Sequence, residues 1–300
     1  MSFPRNQWPE ESARLLDDEE EGALPAHRII PQSFASLCRW GKVITRANTT
    51  DLSRQNSLVY HLDVLPPDGR NAHMQVAVRL QGFLGKHDFG VFGNWQKDED
   101  HCRRANQFLV LADGGFPNIF SAQRDCLTNI RTLIARTLRM GHVEGDDGDG
   151  RIHCQRRVFS KVTGGASMPP SVLTNEDDPD GVARAVAARW RVIKKVTFGR
   201  KLSNGRVVEA DHLIFADGDF VDVHAHLEIA TFCNVNNIPR TKLHVAFSQV
   251  IQLYSKDSLP PALCNGSRGS TVDTSTVAET ESGVVIGKAD MDYTEDDVVG

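Results

Sequence analysis

Two alternating runs near the end of the chain constrain its fold more than any other feature. In DFVDVHAHLEIATF (219–232), Val221, Val223, Ala225, Leu227 and Ile229 take one side, and Asp222, His224, His226 and Glu228 take the other. A period of two marks a strand with one apolar face, because successive side chains leave opposite sides of the pleat. After the loop CNVNNIPR, the run TKLHVAFSQVIQLY (241–254) alternates again at Leu243, Val245 and Phe247. Its phase shifts at Ser248-Gln249, as one extra residue in a bulge would cause. The two runs predict a long antiparallel pair.

Upstream segments add strands. QNSLVYHLDVLP (55–66) places Leu58, Tyr60, Leu62 and Val64 on one face. AHMQVAVRLQGFLG (72–85) alternates Met74, Val76, Val78 and Leu80 with Gln75, Ala77 and Arg79. The turn signal Pro66-Pro67-Asp68-Gly69 lies between them, so a hairpin over 57–84 is expected. Residues 106–112 and 151–163 read as further strands. RWRVIKKVTFG (189–199) reads as another, with Trp190, Val192, Val196 and Phe198 on one side, interrupted by Lys194. Asn204-Gly205 signals a tight hairpin into RVVEADHLIF, and Asp217-Gly218 a further turn. One segment changes period: Leu127, Ile130, Leu133, Ile134 and Leu138 follow helical spacing within 121–140, ended by Gly141. A short helix at 181–188 is expected to be capped by Asp180.

These elements predict a mainly β fold, with α+β as the variant. The expected layout is an antiparallel sandwich or partly open barrel with one amphipathic helix around 121–140. The ends differ from the middle. Residues 1–22 hold seven acidic and two basic groups, and residues 257–300 hold nine and two. With a net charge of −5 overall, residues 23–256 must carry +7. We therefore expect acidic disordered segments at 1–22 and 257–300 around a β-rich core at 23–256. The Gly/Pro/Ser/Asp-rich stretch 164–181 marks either an internal boundary or a long loop.

The start of the chain has no apolar segment of signal-peptide type, and no apolar run approaches the roughly 18–20 residues of a membrane span. An intracellular protein, cytoplasmic or nuclear, is expected. Its six cysteines include no C-x-x-C pair, so free thiols are expected and not a disulfide or zinc framework.

Two constellations could carry function. The motif FVDVHAH (220–226), entered after Gly218, resembles the first-strand signature of the metal-dependent amidohydrolases, where both histidines of a His-x-His bind a catalytic metal. The resemblance implies a hydrolase with His224 and His226 as metal ligands. It covers about ten residues, and only 74 follow His226, whereas that barrel spreads further ligands over later strands. A smaller zinc site, with Glu228 or His244 added across the hairpin, and a plain solvent-facing polar row are the other readings.

The second constellation is basic. Between Val182 and Val208 stand eight cations and no acid, among them Arg189, Arg191, Lys194, Lys195, Arg200 and Lys201. On one continuous strand Arg189, Arg191 and Lys195 would share a face, a stripe able to track phosphates. Arg151, Arg156, Arg157 and Lys161 form a lesser cluster. Phosphate loops, dinucleotide fingerprints and nucleophile elbows are missing, so no cofactor is expected. The cations Arg103 and Arg104 beside Cys102 are of the kind that lower a thiol pKa, whereas His101, adjacent on a strand, would point away from it and not pair with it. The acidic loop GHVEGDDGDG (141–150) lacks the ligand alternation and closing glutamate of a calcium loop.

The expected function is thus a non-enzymatic binding or interaction domain, with a protein partner or self-association. Sequence-nonspecific nucleic-acid or polyanion binding through 184–206 is the alternative, and metal-dependent hydrolysis the weaker one.

Overall fold

The alternating run at 219–232 becomes the centre of a sheet and is flanked on both sides. The computed structural model describes Trp8 and residues 26–45, 56–66, 74–145, 149–162, 173–233 and 239–264. In chain order its elements are α1 (Phe34–Trp40), β1 (Gly41–Ile44), β2 (Asn56–Tyr60), β3 (Ala77–Asp88), β4 (Asn106–Ala112), α2 (Pro117–Thr137), β5 (Ile152–Arg157) and β6 (Phe159–Lys161). There follow α3 (Val182–Ala185), β7 (Trp190–Val192), β8 (Thr197–Lys201), β9 (Val207–Glu209), β10 (Phe220–Cys233), β11 (Pro239–Tyr254) and α4 (Pro261–Cys264).

The main sheet runs β5-β4-β3-β10-β11-β8-β9, and β2, carrying β1, joins it at β10. Its ladders are antiparallel except β8 on β11, which is parallel. β5 curls back to lie against β11, yet the described strands form an open sheet and not a closed barrel. The mainly β reading with one long amphipathic helix holds. So does the bulge: His224 pairs with Gln249 and Ala225 with Phe247, which leaves Ser248 as the extra residue.

The expected hairpin over 57–84 does not form as a ladder. β2 meets the residues just before β3 at one antiparallel bridge, Val59–Gln75, where the Tyr60 amide donates to the Met74 carbonyl at 3.0 Å and the Val76 amide to the Leu58 carbonyl at 2.9 Å; from residue 77 the chain pairs instead with β10, 77–83 against 226–220. β2 turns to β1 and to the far end of β10. The longer apolar partner wins.

The polar face of β10 is covered over its first half, which corrects the expected solvent-facing row there: Asp222 is fully buried and His224 nearly so, whereas His226 and Glu228 stay partly exposed. The side bearing Val221, Val223, Ala225, Leu227 and Ile229 joins the main core as expected. α2 buries Phe120, Cys126, Leu127, Ile130, Leu133 and Ile134, the predicted spacing. Its Gln123 seals the stretch of β3 that β4 leaves unpaired. The side-chain Oε1 accepts from the Gln81 amide (2.8 Å) and Nε2 donates to the Gln81 carbonyl (2.7 Å).

Four local expectations change. The strand over 189–199 splits into β7, paired with β6, and β8, in the main sheet. Trp190 and Val192 pack on a small second core of Trp95, Val158 and Phe159, while Val196 and Phe198 pack on the main one. The chain crosses between two cores and cannot stay one strand. The N-cap position of α3 is Gly181, and Asp178, three residues earlier, takes the first-turn amides of Ala183 and Arg184 at 3.2 and 3.0 Å; Asp180 instead sits 3.6 Å from Lys97. Folded structure also continues past 257, with Leu263 of α4 buried in the main core. A hairpin forms at Asn204-Gly205, but the register sets Leu202 opposite Arg206, so its loop is the three residues 203–205 and not two, with Gly205 at φ 84°.

Most of residues 1–22, the loop core 146–148 and residues 265–300 lie outside the described residues. Trp8 is the exception, and it is buried. Cys38, Cys102, Cys126, Cys154 and Cys264 are free thiols. No described helix is long and apolar enough to cross a membrane.

Candidate functional site

Splitting the 189–199 segment disperses the expected stripe. Arg189 stands beside β7 and pairs with Glu99 at 3.0 Å, and Arg191 is half-buried on β7 opposite Ser160. Lys195 is ion-paired with Asp177. Lys201 lies over the Tyr254 ring, 5.7 Å from its centroid. Lys194 and Arg200 are exposed and have no ion pair among the described residues. Arg189, Arg191 and Lys195 therefore do not share one strand face.

What the fold assembles instead is a cleft of about 170 Å³ between β4, β5, β8 and the connector 193–196. Phe89, Val158, Val196 and Phe198 give it apolar walls, and Lys194, Lys195, Arg156, Gln107, Asp177 and His212 give it polar ones. The Phe89 and Phe198 rings lie 5.1 Å apart, and His212 lies 6.0 Å from Phe198. Arg200 extends this rim, because it leaves β8 on the same face as Phe198, two residues on. Burial alone would raise the Asp177 carboxyl, but Lys195 and the Thr174 donors outweigh it and hold it below its ordinary value.

Arg156 is the member that sequence reasoning left outside the site. It was legible as a break in register: Ile152, Cys154 and Arg156 share a face of β5, and the first two are core residues. Arg156 follows them inward and is 8% exposed. Gln107, paired with it on β4, spends its amide on the Phe89 and Gly90 carbonyls at 3.3 and 2.8 Å.

The polar row of β10 has a different organisation. His224 Nε2 lies 3.0 Å from Asp222 Oδ1, and His226 Nε2 lies 3.0 Å from Glu228 Oε1. Each histidine thus has its own carboxylate, and among the described residues no three His, Cys, Asp or Glu side chains converge to hold a metal. The His226 hydrogen bond holds the Glu228 carboxyl below its ordinary value against burial, with His244 and Arg157 adding to it.

No family model and no curated protein matches this chain. Two solved structures overlap it: gp2.5, a single-stranded DNA-binding protein encoded by bacteriophage T7, and a single-stranded DNA-binding protein from bacteriophage Enc34. The first is 12% identical with TM-score 0.34, over 59% of this chain and 92% of that one. The second is 7% identical with TM-score 0.29, over 73% and 94%. Overlaps at such TM-scores carry no weight for function.

The Cys102 reading is overturned. Burial, with Glu99 adding to it, pushes this thiol up to about 11, and His101 is turned to Asp98 at 2.5 Å. A thiol held that high has almost no thiolate near neutral pH. Iodoacetamide near pH 7 should therefore label the exposed Cys38 and Cys264 well before Cys102, read by peptide mass spectrometry. Labelling of Cys102 as fast as Cys38 would contradict the assignment.

Among the described residues the exposed large hydrophobics are Met74 and a group at the β8–β9 hairpin. Leu202, Val207, Val208 and Leu213 are exposed on and beside the β8–β9 hairpin.

Proposed function

We propose that this domain binds anionic polymers, single-stranded nucleic acid foremost, along the rim formed by Lys194, Arg200 and the cleft between them and β5. One observation carries the reading: Lys194 lines a cleft with aromatic walls, Arg200 stands two residues beyond its Phe198 on the same strand face, and neither cation has an ion-pair partner among the described residues. Phosphates favour the first feature and an unpaired base the second. A duplex keeps its bases stacked inside and gains only from the charges. Arg189 and Lys195, already paired with Glu99 and Asp177, contribute less than their sequence suggests.

The test is fluorescence anisotropy with single-stranded and duplex oligonucleotides over a salt series. Single strands should bind more tightly than duplex. Lys194→Ser with Arg200→Ser should lower the slope of log affinity against log salt by about 1.4, roughly 0.7 for each phosphate no longer neutralised. The variant should remain folded, since exposed charges contribute little stability. Residues 257–300 carry nine acidic and two basic groups, so removing 265–300 should tighten binding at low salt. A tail-less chain that binds neither form at about 50 mM salt would end this proposal.

A further inference from the structure

We propose that the cleft is built around one anion subsite, in which a phosphate group is held by the Arg156 guanidinium. The anion class follows from how Arg156 is partnered. Its Nη2 donates to the Lys194 carbonyl at 2.5 Å. Its Nη1 is buried and has no hydrogen-bond acceptor. No carboxylate lies within ion-pair distance among the described residues. Glu228 acts on it only from further away and is already bonded to His226. A guanidinium 8% exposed and without a contacting counter-ion is costly, and folded chains pair such charges or leave them to a ligand.

The two acids that line the cleft are occupied. Asp177 Oδ2 takes the Lys195 ammonium and accepts from the Thr174 amide and hydroxyl at 2.6 and 2.7 Å. Asp211 Oδ1 accepts from the Leu213 amide at 2.8 Å and lies 3.1 Å from His212 Nδ1. Neither reaches Arg156, so the missing acceptor comes from outside the cleft. The unused donor hydrogens of Nη1, the Lys194 ammonium at the mouth and the fork geometry of arginine suit a phosphate. The volume of about 170 Å³ is small beside the roughly 300–1,000 Å³ of drug-sized pockets, so the cleft takes one small group at a time, and a strand end that seats its phosphate there leaves its base at the aromatic rim by Phe198.

Two sources can deliver that group: the terminal phosphate of a nucleic-acid strand, or free phosphate. The first rests on the nucleic-acid reading above, and the second does not. Full-length protein is titrated with one single-stranded oligonucleotide in 5′-phosphorylated and 5′-hydroxyl forms. Thermal unfolding is followed separately with and without millimolar inorganic phosphate.

The phosphorylated strand should bind about tenfold more tightly, the scale of one charge-assisted hydrogen bond. Arg156→Gln should equalise the two forms, whereas Arg200→Ser should weaken both alike. If the strands bind equally but inorganic phosphate raises the melting temperature of the wild type and not of Arg156→Gln, free phosphate is the ligand and the subsite stands. Should Arg156→Gln fail to fold, Arg156→Lys, which keeps charge and loses the fork, replaces it. Inorganic phosphate competing away the phosphorylated strand from the wild type would then support the subsite. Equal binding of the two strands with no thermal shift by phosphate overturns the subsite and leaves the polyanion reading intact. Failure of both strands to bind, with a phosphate shift that needs Arg156, ends only the polyanion reading.

Discussion

Replacing Asp222 with asparagine should destabilise the fold by about 3–5 kcal/mol, the range for removing one partner of a buried ion pair. Asp222 has no exposed surface. Its Oδ1 accepts from Arg79 Nε at 2.6 Å and its Oδ2 from Gln81 Nε2 at 2.5 Å. Arg79 is 7% exposed, so the asparagine would leave a guanidinium buried against a neutral amide. Burial by itself would raise the Asp222 carboxyl, but the contacts with His224 and Arg79 outweigh it and hold it below its ordinary value.

A carboxyl held lower in the folded state stabilises above its unfolded value, and that contribution fades as pH falls through the folded one. Urea unfolding should thus show the full deficit of Asp222→Asn near neutral pH and a shrinking deficit in acid. Replacing the pair together, Arg79→Met with Asp222→Leu, should restore much of the loss. A deficit under about 1 kcal/mol near neutral pH would mean that the pair is not desolvated as described.

Trp8→Ala should cost a similar amount, about 3–5 kcal/mol for deleting a buried indole. Trp8 is 3% exposed and closes an aromatic cluster, with ring centroids 4.9 Å from Phe220, 5.6 Å from Phe116 and 6.1 Å from Phe83. The seat is tightly built. A Cβ on Gly114, at φ 57°, would stand 2.0 Å from the Phe83 ring. Trp8→Phe should recover part of the loss, and deleting residues 1–22 should cost at least as much as Trp8→Ala. An unchanged melting temperature after that deletion would show that the indole is not part of the core in solution.

The same tryptophan marks where sequence reasoning stopped. Acidic composition makes residues 1–22 look unable to fold, and a single tryptophan cannot announce its own burial. The contact is made with residues about 75 to 210 positions away. Period-two and period-3.6 patterns, in contrast, were local and readable, so β4, β10, β11 and α2 could be placed from the sequence. The polar side of β10 misled, because alternation says which residues share a face and not whether that face is covered. Asp222 looked exposed until Arg79 and Gln81 were seen opposite it. For the candidate site, Lys194 and Lys195 were found by charge. Arg156 was named but left out, since only its partners in register show that it turns inward. The break between β7 and β8 had one local sign, the charged Lys194 in the apolar phase of 189–199, but its cause is not local: Trp190 and Phe198 belong to different cores.

The order of strands also has a consequence for how the chain is made. β10 is the strand that β2, β3 and β11 all pair with, and it begins only at Phe220. During synthesis the β3–β4–β5 meander can form as it emerges, but the inner edge of β3 then has no partner. Val78, Leu80, Leu109 and Leu111, all buried in the finished fold, must wait beside that open edge. The wait lasts until residues 220–254 have left the ribosome, so this stage of life is the one most exposed to mispairing with other chains. The hub of the sheet is nearly the last part of it to be translated.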